Sequence, residues 1–149
     1  MGIRRLLLSA LAGAAIMLLL AAVWHIALMG RYYAAGVSQV QEVVRYDVIA
    51  LAYLVLGALM AIIYPKGYAG GSPASEGFRF GVLIGLVYAM PHAMVAVAAT
   101  GSASGSLVLV DAAWHMVEQG VGGAVIALVY GRLGGAPLQP ADVDEDTVV

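Results

Sequence analysis

Apolar residues run along this chain in four long stretches, and the charged residues collect in the gaps between them. Residues 6–29, 48–64 and 80–99 contain no Asp, Glu, Lys or Arg, and residues 107–131 contain only Asp111 and Glu118. At a helical rise of about 1.5 Å per residue, roughly 20 such residues cross the hydrocarbon core of a bilayer. The pattern predicts an all-α integral membrane protein, a four-transmembrane-helix antiparallel bundle. The first run follows Arg4-Arg5, as a secretory signal would, but its apolar part exceeds the roughly 7–15 residues of a signal core and ends in Trp24, His25 and Met29. A retained first helix is expected.

The gaps carry their own signals. Between the first two spans, Val37, Val40 and Val44 recur at helical spacing with Gln39, Gln41 and Glu42 on other faces, predicting a short interfacial helix. Residues 66–76, with Gly67, Gly70, Gly71 and Pro73, read as a flexible turn. Thr100 to Ser106 is a small polar turn that makes the third and fourth helices antiparallel neighbours. Residues 1–135 form one transmembrane domain, and 136–149, with Pro137, Pro140, Asp142, Asp144, Glu145 and Asp146, read as a disordered acidic tail. With the N-terminus inside, Arg4, Arg5, Lys66, Arg79 and Arg132 are cytoplasmic and only Arg31 and Arg45 lie outside, as the positive-inside rule prefers. The expected location is a bacterial inner membrane with both termini cytoplasmic. The partner is the lipid bilayer, with other membrane subunits or further copies of the chain open.

Composition narrows the function. Of 149 residues 62% are hydrophobic, and four spans leave no room for a separate catalytic domain. A net charge of −2 without a basic run gives no footprint for nucleic acid. The absence of cysteine removes disulfides, thiolate metal sites and thiol catalysis. No nucleophile elbow surrounds any serine, so enzymatic chemistry is not the favoured reading. Small residues at four-residue spacing, Gly77, Gly81, Gly85 and Ala89 in the third span and Gly123, Ala127 and Gly131 in the fourth, mark helix-packing faces. Pro91 is expected to kink the third helix beside His92.

The candidate chemistry lies inside the membrane. Asp111, His115 and Glu118 are spaced i, i+4, i+7 and share one face of the fourth helix. A charged group at a membrane helix centre costs about 2.5–3.5 kcal/mol on the insertion scale, so these side chains should face inward. Tyr88 and His92 share a face of the third helix, and His25 lies near the outer end of the first. Together His92, Asp111, His115, Glu118, Tyr88 and His25 outline an outward-facing pocket. Ala21-Ala-Val-Trp-His-Ile26 and Ala112-Ala-Trp-His-Met116 echo one another, pairing His25 with His115 as neighbours. Three readings stay open: a structural hydrogen-bonded network in an accessory subunit, a metal ion or haem held by His92, His115 and Glu118, and a cavity that binds or conducts a proton or small ligand. No metal or haem is favoured, since no His-x-x-x-His or Glu-x-x-His pair occurs within a helix.

In layout the chain resembles small bacterial four-helix integral membrane proteins of a domain-of-unknown-function family. Tyr32-Tyr33 with Gly36, Tyr53, Gly81 with Gly85, and Leu109-Val-Asp-Ala-Ala-Trp114 carry the resemblance over residues 20–131. Tyr88-Ala-Met-Pro-His92 replaces the family's Tyr-Asp-Leu-Thr-Asn-like stretch, and His115 replaces a glycine. The resemblance implies a four-helix membrane fold without a known activity, and the departures point to histidine-based chemistry in this chain.

Overall fold

The computed structural model describes residues 2–36, 44–100 and 105–133, and these are helical with short connections. Residues 37–43 of the helix expected over Val37–Val44, most of the Thr100–Ser106 turn and the acidic tail lie outside the described residues. Helix α1 spans Ile3–Ala22 and continues as a π-helical turn over Val23–Leu28. A short α2 follows at Gly30–Gly36, and α3 spans Tyr46–Ile63. Pro65 closes α3 with a 3-10 turn over Tyr64–Lys66, since its ring cannot continue the α-helical hydrogen bonding. Helices α4 (Pro73–Thr100) and α5 (Gly105–Arg132) complete the chain. Four helical segments are long and apolar enough to cross a membrane: Ile3–Leu28, Tyr46–Lys66, Pro73–Ala99 and Gly105–Arg132.

One local prediction is corrected. The turn after α3 is shorter than residues 66–76, because Pro73 suits the first position of a helix, where no amide hydrogen is required. That turn is also pinned: the Glu76 carboxylate accepts from the Ala69 and Gly71 amides at 2.9 and 2.7 Å, and the Tyr68 hydroxyl donates to the Gly71 carbonyl at 2.6 Å. Pro91 lies inside α4, which continues through it to Thr100.

Small residues set the packing. Backbone meets backbone along α4 and α5, where Gly77 lies against Gly123, Gly81 against Gln119 and Gly85 against His115. Helix α1 packs on α5 where Gly13 meets Ile126 and Met17 meets Gly122, and on α3 where Gly57 meets Ala10 and Ala14. Met17, Met60, Ala61, Ile126 and Ala127 fill the shared core. At the end where α1 begins, Tyr64, Tyr68, Phe80 and Tyr130 form an aromatic cluster, with the Arg5 guanidinium 4.9 Å from the Tyr130 ring centroid. The buried Ser9 hydroxyl donates to the Arg5 and Leu6 carbonyls. The hydrophobic pattern is inverted relative to a water-soluble bundle. Leu11, Leu19, Leu51, Leu59, Leu83 and Val95 are exposed, while Ser9, Glu118 and Gln119 are fully buried.

Candidate functional site

The polar side chains gather where the π-helical turn of α1 meets α5. In this turn the Met29 amide bonds to the Trp24 carbonyl, five residues back, at 2.8 Å. Such a widened turn changes the direction in which the flanking side chains leave the helix. Here Trp24 stacks on Trp114, with ring centroids 4.2 Å apart and planes 4° from parallel. The His25 ring lies 6.3 Å from that of His115 and 4.7 Å from that of Tyr33. The two Trp-His segments therefore meet face to face. A stacked indole pair couples its electronic transitions, so near-ultraviolet circular dichroism should show a strong tryptophan couplet. Trp24→Phe should remove the couplet while far-ultraviolet helicity is retained.

A chain of hydrogen bonds runs inward from that stack. The Trp24 indole donates to the Tyr33 hydroxyl at 3.0 Å, and the Tyr33 hydroxyl donates to Asp111 Oδ1 at 2.9 Å. Burial, with the Asp111 carboxylate alongside, pushes the Tyr33 phenol up to about 12, against the lowering effect of the Trp24 bond. Tyr33 thus remains a donor to Asp111 throughout the neutral range. His25 Nε2 lies 3.9 Å from Asp111 Oδ1 and His115 Nε2 lies 3.5 Å from Asp111 Oδ2. On the far side of the same ring, His115 Nδ1 is 3.9 Å from Glu118 Oε1. Side-chain exposure falls from 33% at His25 and Asp111 to 15% at His115 and 0% at Glu118. The cluster is therefore a funnel, with Asp111 near its mouth and Glu118 at its closed end.

At the closed end the hydrogen-bond count does not balance. Glu118 Oε2 accepts from the Trp114 indole at 3.1 Å, but Glu118 Oε1 is buried without a partner. The Gln119 amide nitrogen lies 3.4 Å from His115 Nδ1, and Gln119 Oε1 is likewise buried without a partner. With the amide nitrogen donating across this contact, His115 Nδ1 is the acceptor and the ring proton sits on Nε2, toward Asp111. Tyr53 of α3 stands beside Glu118, and the Tyr88 ring meets the His115 ring edge-on at 5.3 Å. A cleft of about 90 Å³ opens between α3 and α4 onto His115 and Gln119, lined also by Ala52, Tyr53, Leu56 and Tyr88. A larger apolar groove of about 350 Å³ lies on the other side of Tyr53, between α1 and α3.

Of the residues singled out from sequence, Asp111, His115, Glu118 and His25 come together, and Tyr88 borders them. His92 does not join them and is exposed on α4. The reason is geometric. The α4 contact line follows a four-residue ridge through Gly77, Gly81, Gly85 and Ala89, whose next member is Ala93; His92, one residue short, is rotated about 100° from it. The candidate metal set His92, His115 and Glu118 is therefore not assembled. Among the described residues no three His, Asp or Glu side chains are placed to hold a metal ion. Sequence reading left out Tyr33, Trp24, Trp114 and Gln119 as site residues. The paired Trp-His segments were the available signal for the two indoles. Asp47, near the start of α3, is exposed and pairs with Arg45 at 2.7 Å, a bond that raises the Arg45 guanidinium above its ordinary value. Comparison with protein families, curated proteins and solved structures finds no match for the chain.

Proposed function

We propose that the chain is an integral protein of a bacterial inner membrane, an antiparallel four-helix bundle with both termini cytoplasmic. In this reading Asp111, His115 and Glu118 form an outward-facing proton relay. Four long apolar helices, leucines on the outside and polar side chains on the inside support the membrane placement. The contacts Gly77–Gly123, Gly81–Gln119 and Gly85–His115, rising along α4 while falling along α5, support the antiparallel arrangement. The likeness to four-helix membrane proteins of unknown function belongs to the same proposal. Tyr33, Tyr53, Asp111 and Trp114, which carry that likeness, all lie in or beside the network.

One observation carries the functional part: a fully buried Glu118 keeps one carboxylate oxygen without a partner, beside an imidazole that faces a carboxylate on each side. A purely structural network satisfies its buried members, because an unmade bond to a buried polar group costs about 1–3 kcal/mol. A relay instead needs an open acceptor. For a proton to pass inward from Asp111, the ring must first carry its own proton on Nδ1; Nε2 is then free to take the proton from Asp111, and Nδ1 releases its proton to Glu118. His115 Nδ1 must therefore turn from acceptor to donor, so the Gln119 amide nitrogen has to move away. Rotation of that amide brings its free Oε1 to the ring. Proton binding is favoured over metal binding because the three side chains lie in sequence along the funnel and do not converge on one point.

Difference infrared spectroscopy on the protein in lipid nanodiscs tests this. A protonated-carboxyl band should appear when protons are driven into the protein and disappear when they are withdrawn. It should shift in heavy water and vanish in Glu118→Gln. If no Glu118 band responds and the substitution instead costs folded protein on size exclusion, the network is structural and the chain an accessory subunit.

A further inference from the structure

One end of the bundle carries charge that the described residues do not balance. The Arg5 guanidinium lies on the Tyr130 ring, Tyr64 meets both Tyr130 and Phe80, and Pro73 faces Gly131. The start of α1, the turn after α3, the start of α4 and the end of α5 therefore share this end. Arg4, Arg5, Lys66, Arg79 and Arg132 all stand there, and every one but Arg5 is exposed. Among the described residues none of the five is ion-paired. The described acids are committed elsewhere: Asp47 to Arg45, Asp111 and Glu118 to the histidine network, and Glu76, through both oxygens, to the Ala69 and Gly71 amides. Four further acids come after α5, at Asp142, Asp144, Glu145 and Asp146. The first stands nine residues beyond Leu133, a span that reaches about 30 Å at roughly 3.3–3.6 Å per residue. Packed helices lie about 8–10 Å apart, so the acids can reach all five cations.

We propose that the acidic run Asp142–Asp146 docks on this basic end of its own chain. Four acids meet five cations, and a short tether holds them there at an effective concentration of about millimolar. The contact is electrostatic and needs no fixed tail conformation. It acts as a strap that competes with other anions, lipid phosphates among them, for the same cations. Exposed pairs are individually weak and screened, so the strap opens with salt. The inference needs neither the relay nor the orientation proposed above, only the end that the four helices share.

Lys66 is the one lysine of the chain, which gives the test its readout. Wild-type protein in nanodiscs of zwitterionic phosphatidylcholine is treated with a water-soluble carbodiimide, which joins a carboxylate to an amine in contact with it. Mass spectrometry should find Lys66 amide-linked to Asp142, Asp144, Glu145 or Asp146. In a mixture of isotope-labelled and unlabelled chains the link should join like with like. The yield should fall about fivefold when Arg79→Gln and Arg132→Gln are combined, a variant that keeps Lys66 and all four acids; two exposed pairs of about 0.5 kcal/mol each give that ratio. Both arginines are exposed, and far-ultraviolet circular dichroism checks that helicity is retained. A similar loss is expected for wild type at a salt concentration of about 1 M, where the screening length is about 3 Å, and in nanodiscs of anionic phosphatidylglycerol, whose headgroups compete. Absence of the link from folded wild type in phosphatidylcholine would overturn the proposal. So would links between labelled and unlabelled chains, or a yield indifferent to salt, to anionic lipid and to the two substitutions.

Discussion

Gly81→Val should leave almost no folded protein. A Cβ at residue 81 would overlap the Gln119 carbonyl oxygen, a backbone atom of α5 that can move only if the helix moves. The neighbouring Gly77 and Gly123 are equally closed, each facing the carbonyl of the other, so α5 cannot retreat at one point alone. Gly81→Ala should already cost at least the roughly 1–3 kcal/mol typical of overpacking, outweighing the up to about 1 kcal/mol that alanine gains over glycine in a helix. Gly67→Ala is the control: a Cβ there meets nothing within 4 Å, and the change should stay within about 0.5 kcal/mol. Unfolding by sodium dodecyl sulfate titration, followed by far-ultraviolet circular dichroism, reads both. Equal stability for Gly81→Ala and wild type would mean that α4 and α5 do not pack along this line.

His115→Ala should abolish proton movement, since among the described residues no other side chain links Asp111 to Glu118. In reconstituted vesicles the flux should fall by on the order of 10²-fold, the contribution typical of a positioned proton-transfer group. The defect should be repairable. The cleft opens onto His115, so free imidazole can reach the space left by the ring and restore part of the flux. 1-Methylimidazole carries no proton on its second nitrogen and should fail, as should imidazole added to Glu118→Gln. Rescue by both bases alike would show that the ring fills space and does not pass protons.

How far the sequence foretold this arrangement depends on which physical signal each part leaves. The four long helices are written in uninterrupted apolar runs, and the packing faces in glycines four residues apart, so both were legible. The stacking of Asp111, His115 and Glu118 follows from one helix's periodicity. Their meeting with His25 depended on α1 turning that residue inward, which the π-helical turn at Val23–Leu28 accomplishes without any proline or charge to announce it. His92 was misplaced because a helical wheel assigns a face over 18 or so residues, while helices that cross along a four-residue ridge rotate the contact by about 40° per turn. Tyr33 was overlooked as a site residue because it precedes the second span, and only the tertiary fold places its hydroxyl on Asp111. Gln119 was passed over because a neutral amide carries no strong cost inside a helix, although its contact with His115 makes it the pivot of the proposed relay.

The central claim is that this chain alone moves protons through Glu118. The direct measurement is proton uptake by liposomes containing only the purified protein, with a potassium diffusion potential imposed by valinomycin and a pH-sensitive dye inside. The account predicts voltage-driven uptake that is unaffected by exchanging sodium for another bulk cation and is absent in Glu118→Gln protein of unchanged helicity. Uptake no greater than in empty liposomes, from wild-type protein shown to be folded and inserted, would contradict it.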